Sequence, residues 1–67
     1  MCLLKVYVED QNFGRRLIAK DVTLILREGD NIKLLDADMR ETIVNNVKII
    51  TIDALNSVVT LRRMQNA

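Results

Sequence analysis

Histidine and proline are absent from this 67-residue sequence, and cysteine and serine occur once each, as Cys2 and Ser57. Without histidine, the chain cannot form the Cys–His or Ser–His pairs that activate many catalytic nucleophiles, so we do not expect an enzyme. One cysteine cannot form a disulfide within its own chain, which fits a reducing cytoplasm. The sequence has no secretory signal pattern and no apolar run near the roughly 20 residues of a membrane helix. We therefore expect a cytoplasmic protein without membrane contact.

Aromatic residues are scarce as well, since Tyr7 and Phe13 are the only two. The formal net charge is +1, so no strong overall field attracts nucleic acid. The pairs Arg15-Arg16 and Arg62-Arg63 could contact phosphates only if the fold brings them together. Proteins that bind single-stranded RNA stack its bases on aromatic side chains, of which this chain has few. The sequence thus argues against nucleic acid as a partner.

The length and the aliphatic content predict a single small domain over residues 1–67. Hydrophobic residues make up 49% of the sequence, which is too apolar for a disordered chain. A chain this short buries only about 60% of the surface that its unfolded form exposes, so its stability is marginal. Small domains without disulfides often gain stability from a second subunit or a metal. We therefore expect a homodimer.

Short apolar runs separated by polar turns predict an all-β fold of five or six short strands. The spacing is typical of a small antiparallel barrel or sandwich, of SH3-like or Sm-like type. The clearest turn is the polar segment 28–31 with Gly29, which should join antiparallel strands over 22–27 and 32–35. The remaining predicted strands cover 1–8, 17–19, 42–44, 47–52 and 58–61, with Lys20-Asp21 interrupting the second apolar run and a solvated tail from Arg62 to Ala67.

Two features of the middle of the chain allow other interpretations. An amphipathic helix over 38–50 is possible, although Asn45-Asn46 and the β-branched residues weaken it. Three carboxylates fall within six residues, at Asp36, Asp38 and Glu41. They lack the glycine and oxygen spacing of a calcium loop, so a solvated loop is the better interpretation.

Cys2 is the candidate metal ligand. If Met1 is removed, the Cys2 thiolate and its free amine can chelate one ion, and the amide nitrogen of Leu3 can close a second ring. If Met1 stays, its amine and the Cys2 amide nitrogen and thiolate give a similar set. Nitrogen and sulfur donors in a plane suit Ni(II) or Cu(II), whereas Zn(II) prefers a tetrahedron. The alternative is that Cys2 is a small buried hydrophobe.

The opening segment 1–8, Met-Cys-Leu-Leu-Lys-Val-Tyr-Val, resembles the start of the CooT family of small nickel-binding proteins. The resemblance continues through segment 18–22, the Glu28-Gly29 turn and the hairpin over 50–61. It implies a compact β domain that forms a homodimer, with nickel held at the dimer interface by Cys2. It also implies a metallochaperone that delivers Ni(II) to a nickel enzyme such as carbon monoxide dehydrogenase. Two alternatives remain open: a small RNA-binding or protein-binding β module, and a structural dimer in which Cys2 has no function.

Overall fold

The computed structural model describes residues 3–12 and 14–64, and these residues form six strands and no helix. The all-β prediction is therefore confirmed. The strands are β1 (Leu4–Asp10), β2 (Gly14–Glu28), β3 (Asn31–Asp36), β4 (Glu41–Val44), β5 (Val47–Asp53) and β6 (Val58–Arg63).

The six strands form one sheet in the order β4-β3-β2-β1-β6-β5. Four of the five neighbouring pairs are antiparallel, whereas β1 and β6 run parallel. The sheet is therefore mixed, and it is not closed into a barrel because β4 and β5 form its two edges. The parallel pair arises because β6, after its hairpin with β5, returns beside the first strand in the same direction.

β2 is one continuous strand of 15 residues, where the sequence predicted an interruption at Lys20-Asp21. Its first half pairs with β1 and its second half with β3, and Val22 at the crossover is opposite both Leu4 and Asp36. The register shifts on both sides of this point, and Asp21 has a φ of 55°. Bulges of this kind bend a strand and increase its twist without ending it. The charged pair therefore marks a bend that lets the sheet fold over its own core.

The core lies between the two halves of the bent sheet. Alternate residues of β1 and β3 point inward, as the period of two in a strand requires. Among the described residues, the buried apolar side chains are Val6, Val8, Val22, Ile32, Leu34, Val44, Val47, Val59 and Leu61. Strands from both ends of the chain contribute to this cluster, so one core serves the whole domain.

The turn predictions have mixed outcomes. Glu28 pairs with Asn31 across the β2–β3 hairpin, and Gly29 has a φ of 63°, so the predicted hairpin is confirmed. The possible helix over 38–50 does not form, because this segment contains β4 and β5 with Asn46 at a φ of 57° between them. Asn46 links the sheet ends: its N–H donates to Asn31 Oδ1 at 3.2 Å, and its Nδ2 donates to the Met64 carbonyl at 3.0 Å.

The predicted C-terminal tail begins too early. Arg62 and Arg63 are the last two residues of β6, where they pair with Lys48 and Val47 of β5. The charged side chains suggested solvent exposure, which is correct, but exposure is compatible with a strand that has one face in water.

Candidate metal centre and surrounding surfaces

Of the two residues predicted to bind the metal, Cys2 and Leu3, the structure describes only Leu3. Cys2 lies outside the described residues, so its ligand role stays a prediction. Leu3 is half-buried and precedes β1 directly, without belonging to the strand. The role of its amide nitrogen as a metal ligand likewise stays a prediction.

The neighbours of the first β1 residues define where the chain start lies. Leu4 is opposite Val22, which is in turn opposite Asp36 at the beginning of the β3–β4 turn. On the other side, the Lys5 N–H donates to the Ser57 carbonyl at 2.9 Å, at the end of the β5–β6 turn. The chain therefore enters the sheet between these two turns. We call this part of the molecule the N-terminal end.

The carboxylates of the N-terminal end hold its two turns in shape. Asp36 Oδ1 accepts the N–H of Asp38 at 2.8 Å and that of Arg40 at 3.0 Å. Asp53 accepts the side-chain Nδ2 of Asn56 at 2.9 Å and its backbone N–H at 3.0 Å. These bonds stabilise the charged form of the carboxylate and lower the pKa of Asp53 below its ordinary value. Both carboxylates therefore already accept hydrogen bonds from the protein, and their placement needs no bound cation.

The described part of the chain contains no group of three or more histidine, cysteine, aspartate or glutamate side chains placed to hold a metal ion. Asp36 and Asp38, the neighbouring carboxylates noted in the sequence, therefore do not form a metal site with a third described side chain. Among the described residues, the carboxylates do not form a competing metal site.

Two exposed apolar side chains lie in the turns on either side of the start of β1. Met39 in the β3–β4 turn is 73% exposed, and Leu55 in the β5–β6 turn is 92% exposed. They are the most exposed of the large hydrophobic side chains in the described ranges. Exposed apolar residues grouped in one region often mark an interaction surface. The sequence placed both in turns but gave no signal that the two turns lie at the same end of the sheet.

The two arginine pairs of the sequence come together at the opposite end of β1. Glu9 is opposite Arg15 on β2 and beside Arg62 on β6. Arg62 Nη2 lies 3.0 Å from Glu9 Oε1, and Arg63 Nε lies 3.6 Å from Asp10 Oδ2. Arg15 and Arg62 therefore lie in register on one face of the sheet, whereas Arg16 and Arg63 alternate to the other face, and Glu9 and Asp10 share the region.

The comparisons with known proteins agree with this architecture and with the resemblance of the opening segment. The sequence profile of a family described as "CO dehydrogenase accessory protein CooT" matches residues 1–62. The chain belongs to the CooT family. Its membership links it to carbon monoxide dehydrogenase as an accessory protein, and the match includes Cys2 and Leu3.

A solved structure shows the same fold at low sequence identity. It is the crystal structure of a provisionally named CooT from Carboxydothermus hydrogenoformans, with a TM-score of 0.81 and 12% identity. The match covers 96% of this chain and 100% of that one, so the two domains have the same extent. Among curated proteins, the comparison finds no match.

The described residues include no helix long and apolar enough to cross a membrane.

Proposed function

We propose that this CooT family protein binds Ni(II) through Cys2 and transfers it, in the cytoplasm, to a nickel enzyme such as carbon monoxide dehydrogenase. The observation that carries the proposal is the family match over residues 1–62, in a chain whose only cysteine is Cys2 and which has no histidine. Nickel is cargo in this proposal, so the site must both take up the ion and release it.

The donor chemistry at the chain start suits this task. The Cys2 thiolate and neighbouring main-chain nitrogens, including that of Leu3, offer the planar nitrogen and sulfur set that Ni(II) accepts. Ligands of this kind must lose protons before they bind, so affinity falls as pH falls. Leu3, the first described residue, precedes β1 directly at one end of the sheet, so a metal site formed just before it would be within reach of a client.

A homodimer completes the proposal. Two copies that meet at their N-terminal ends supply two thiolates to one ion, so the ion needs fewer ligands from other side chains. The exposed Met39 and Leu55 give the two copies an apolar surface on which to pack. A two-fold interface would bury both side chains from each copy, four in all, at about 25 cal/mol per Å² of apolar area, and the entropy cost of association offsets part of this contribution.

The experiment is a titration of the untagged protein with Ni(II), followed by the near-ultraviolet charge transfer absorption of nickel thiolate. We expect the absorption in the wild type and its loss in Cys2→Ser. The matched control is Asp36→Asn with Asp38→Asn, which removes two carboxylates from the same end and should leave the absorption intact. Undiminished nickel affinity in Cys2→Ser would overturn the proposal.

A second comparison separates the chain terminus from the cysteine itself. A Gly-Ser extension before Met1 removes the amine from the metal donors, whereas the same extension after Ala67 does not touch them. We expect the N-terminal extension to weaken nickel binding at least tenfold and the C-terminal extension to have no effect. Equal affinities for the two extended proteins would exclude the terminal amine.

A further inference from the structure

The outer edge of β5 is the longer of the two open edges of the sheet. β5 has seven residues, whereas β4 at the other edge has four. Only the start of β5 is covered, because the Val47 N–H donates to the Asp30 carbonyl at 3.1 Å. From Lys48 onward, no described residue other than those of β6 forms a hydrogen bond with the backbone of β5. We call residues 48–53 the β5 edge.

Two isoleucines of the β5 edge face the core side of the sheet but remain exposed. The register with β6 shifts within segment 49–51, where β5 has one extra residue. This bulge places Ile49 opposite Leu61 and Ile52 opposite Val59, two buried residues of the core. Ile49 and Ile52 are nevertheless 39% and 67% exposed, because β5 is the last strand of the sheet.

An additional strand beside β5 would satisfy both the backbone and the side chains of this edge. A free strand edge presents N–H and C=O groups that can pair with an extended chain. Short strands, bulges and charged residues commonly protect such edges from pairing. β5 has a bulge and one lysine, but its two isoleucines stay in water. Apolar side chains on an added strand would cover these isoleucines and extend the core.

The charges near the start of β5 define the chemistry of such a strand. In the described ranges, Lys48 forms no ion pair. Together with Arg62 and Arg63, it lines an open groove of about 760 Å³, in which cations outnumber carboxylates four to two. Acidic side chains on the added strand would therefore find partners at this end. A strand antiparallel to β5 places its C-terminal residues there.

We propose that the β5 edge binds an extended segment of another protein as a seventh strand, antiparallel to β5. The segment has apolar side chains where it passes Ile49 and Ile52, and it ends in acidic residues beside Lys48. A second copy of this chain fits the charges less well. The only carboxylate of the β5 edge is Asp53, and both of its oxygens already accept hydrogen bonds from Asn56.

The test is a fluorescence anisotropy titration of a labelled ten-residue peptide with the untagged, nickel-free protein. The peptide alternates valine and threonine over six positions and ends in four glutamates. The control peptide has the same residues in reverse order, which places its glutamates beside Asp53 in an antiparallel pairing. We expect the control peptide to bind at least fivefold more weakly, since it loses the cations and approaches a carboxylate.

Two pairs of variants test the side chains. Ile52→Thr keeps a β-branched side chain but loses apolar contact, and should weaken peptide binding about tenfold. Ile43→Thr makes the same change on β4, where Ile43 is 55% exposed, and should bind like the wild type. Lys48→Gln should weaken binding and its dependence on salt, whereas Lys20→Gln, at an exposed position of β2, should change neither. Circular dichroism should show all four variants folded.

Two N-methylated versions of the peptide test the backbone pairing. Successive residues of a strand direct their N–H groups to opposite sides, so methyl groups on alternate amides all lie along one side. We expect methylation of one alternate set to abolish binding and methylation of the other set to preserve it. Equal affinities of the two versions would overturn strand addition.

Three further results would overturn the proposal. These are no peptide binding at low salt, equal losses in Ile52→Thr and Ile43→Thr, and a nickel-free dimer that Ile52→Thr dissociates in sedimentation, which would assign the edge to a second copy. Cys2→Ser should bind the peptide like the wild type, because Cys2 precedes β1 and β6 lies between β1 and β5. Failure of either proposal, nickel binding or peptide binding, therefore leaves the other standing.

Discussion

Leu61 and Leu55 are the same residue type at the two extremes of burial, 0% and 92% exposed. Leu61→Ala removes apolar atoms from the centre of the core and leaves a cavity, which should lower the free energy of unfolding by about 2–5 kcal/mol. In the nickel-free protein, where the Leu55 side chain is in water, Leu55→Ala should alter the free energy of unfolding by about 0.5 kcal/mol or less. Urea denaturation followed by circular dichroism measures both values.

A milder variant keeps this prediction testable if Leu61→Ala fails to fold. Ile32→Val removes one methylene from a side chain that is 1% exposed, and should cost about 1 kcal/mol. Equal unfolding free energies for the wild type and both core variants would contradict the assignment of the core. A large loss in Leu55→Ala would instead mean that Leu55 is already buried against a second copy.

Which individual side chains of β1 are buried was largely predictable from the sequence. Val6 and Val8 alternate with Lys5 and Tyr7, and this period of two indicates which face is buried. The exposure of Met39 was not predictable, because it depends on the direction in which the turn projects its side chain. The proposed ligand role of Cys2 follows from residue chemistry and family membership.

Among the elements, the β3–β4 turn depends most on a single side chain. Asp36 Oδ1 accepts two backbone N–H groups, those of Asp38 and Arg40. Asp36→Ala leaves both without this acceptor and should lower the free energy of unfolding by about 1 kcal/mol, as the loss of a helix cap does. Asp36→Asn keeps the side-chain oxygen and should lose clearly less.

Urea denaturation of the two Asp36 variants measures the difference. If alanine and asparagine have equal effects, the negative charge of Asp36 matters and the acceptor oxygen does not. Nickel binding should be the same in both variants as in the wild type, since the carboxylate is committed to the turn. A loss of nickel affinity in either one would place Asp36 in the metal site.

Strand bounds were predictable where turns contain glycine, and less so where a bulge replaces a turn. Gly29 predicted the β2–β3 hairpin correctly, because a positive φ is easiest for glycine. Lys20-Asp21 suggested that the strand ends there, because charged residues are rarely found inside a buried strand. The structure tolerates them because Asp21 takes the positive φ of a bulge with its side chain in water.

At the scale of the whole molecule, the two ends of β1 have different characters. The N-terminal end carries Met39 and Leu55, whereas the distal end carries an open groove lined by Arg15, Lys48 and Arg62. The sequence predicted the fold class and the candidate ligand. It could not predict the parallel pairing of β1 with β6, which depends on contacts between the first and last strands of the chain. That pairing brings Arg15 and Arg62 to the same surface.

In the function that we propose, one nickel ion joins two chains through their Cys2 thiolates. Native mass spectrometry of the untagged protein during a Ni(II) titration tests it most directly, because it measures subunit number and metal number together. We expect a dimer that takes up one nickel per two chains, and a Cys2→Ser protein that takes up none. Nickel on a monomer, or the same nickel uptake by Cys2→Ser, would contradict it.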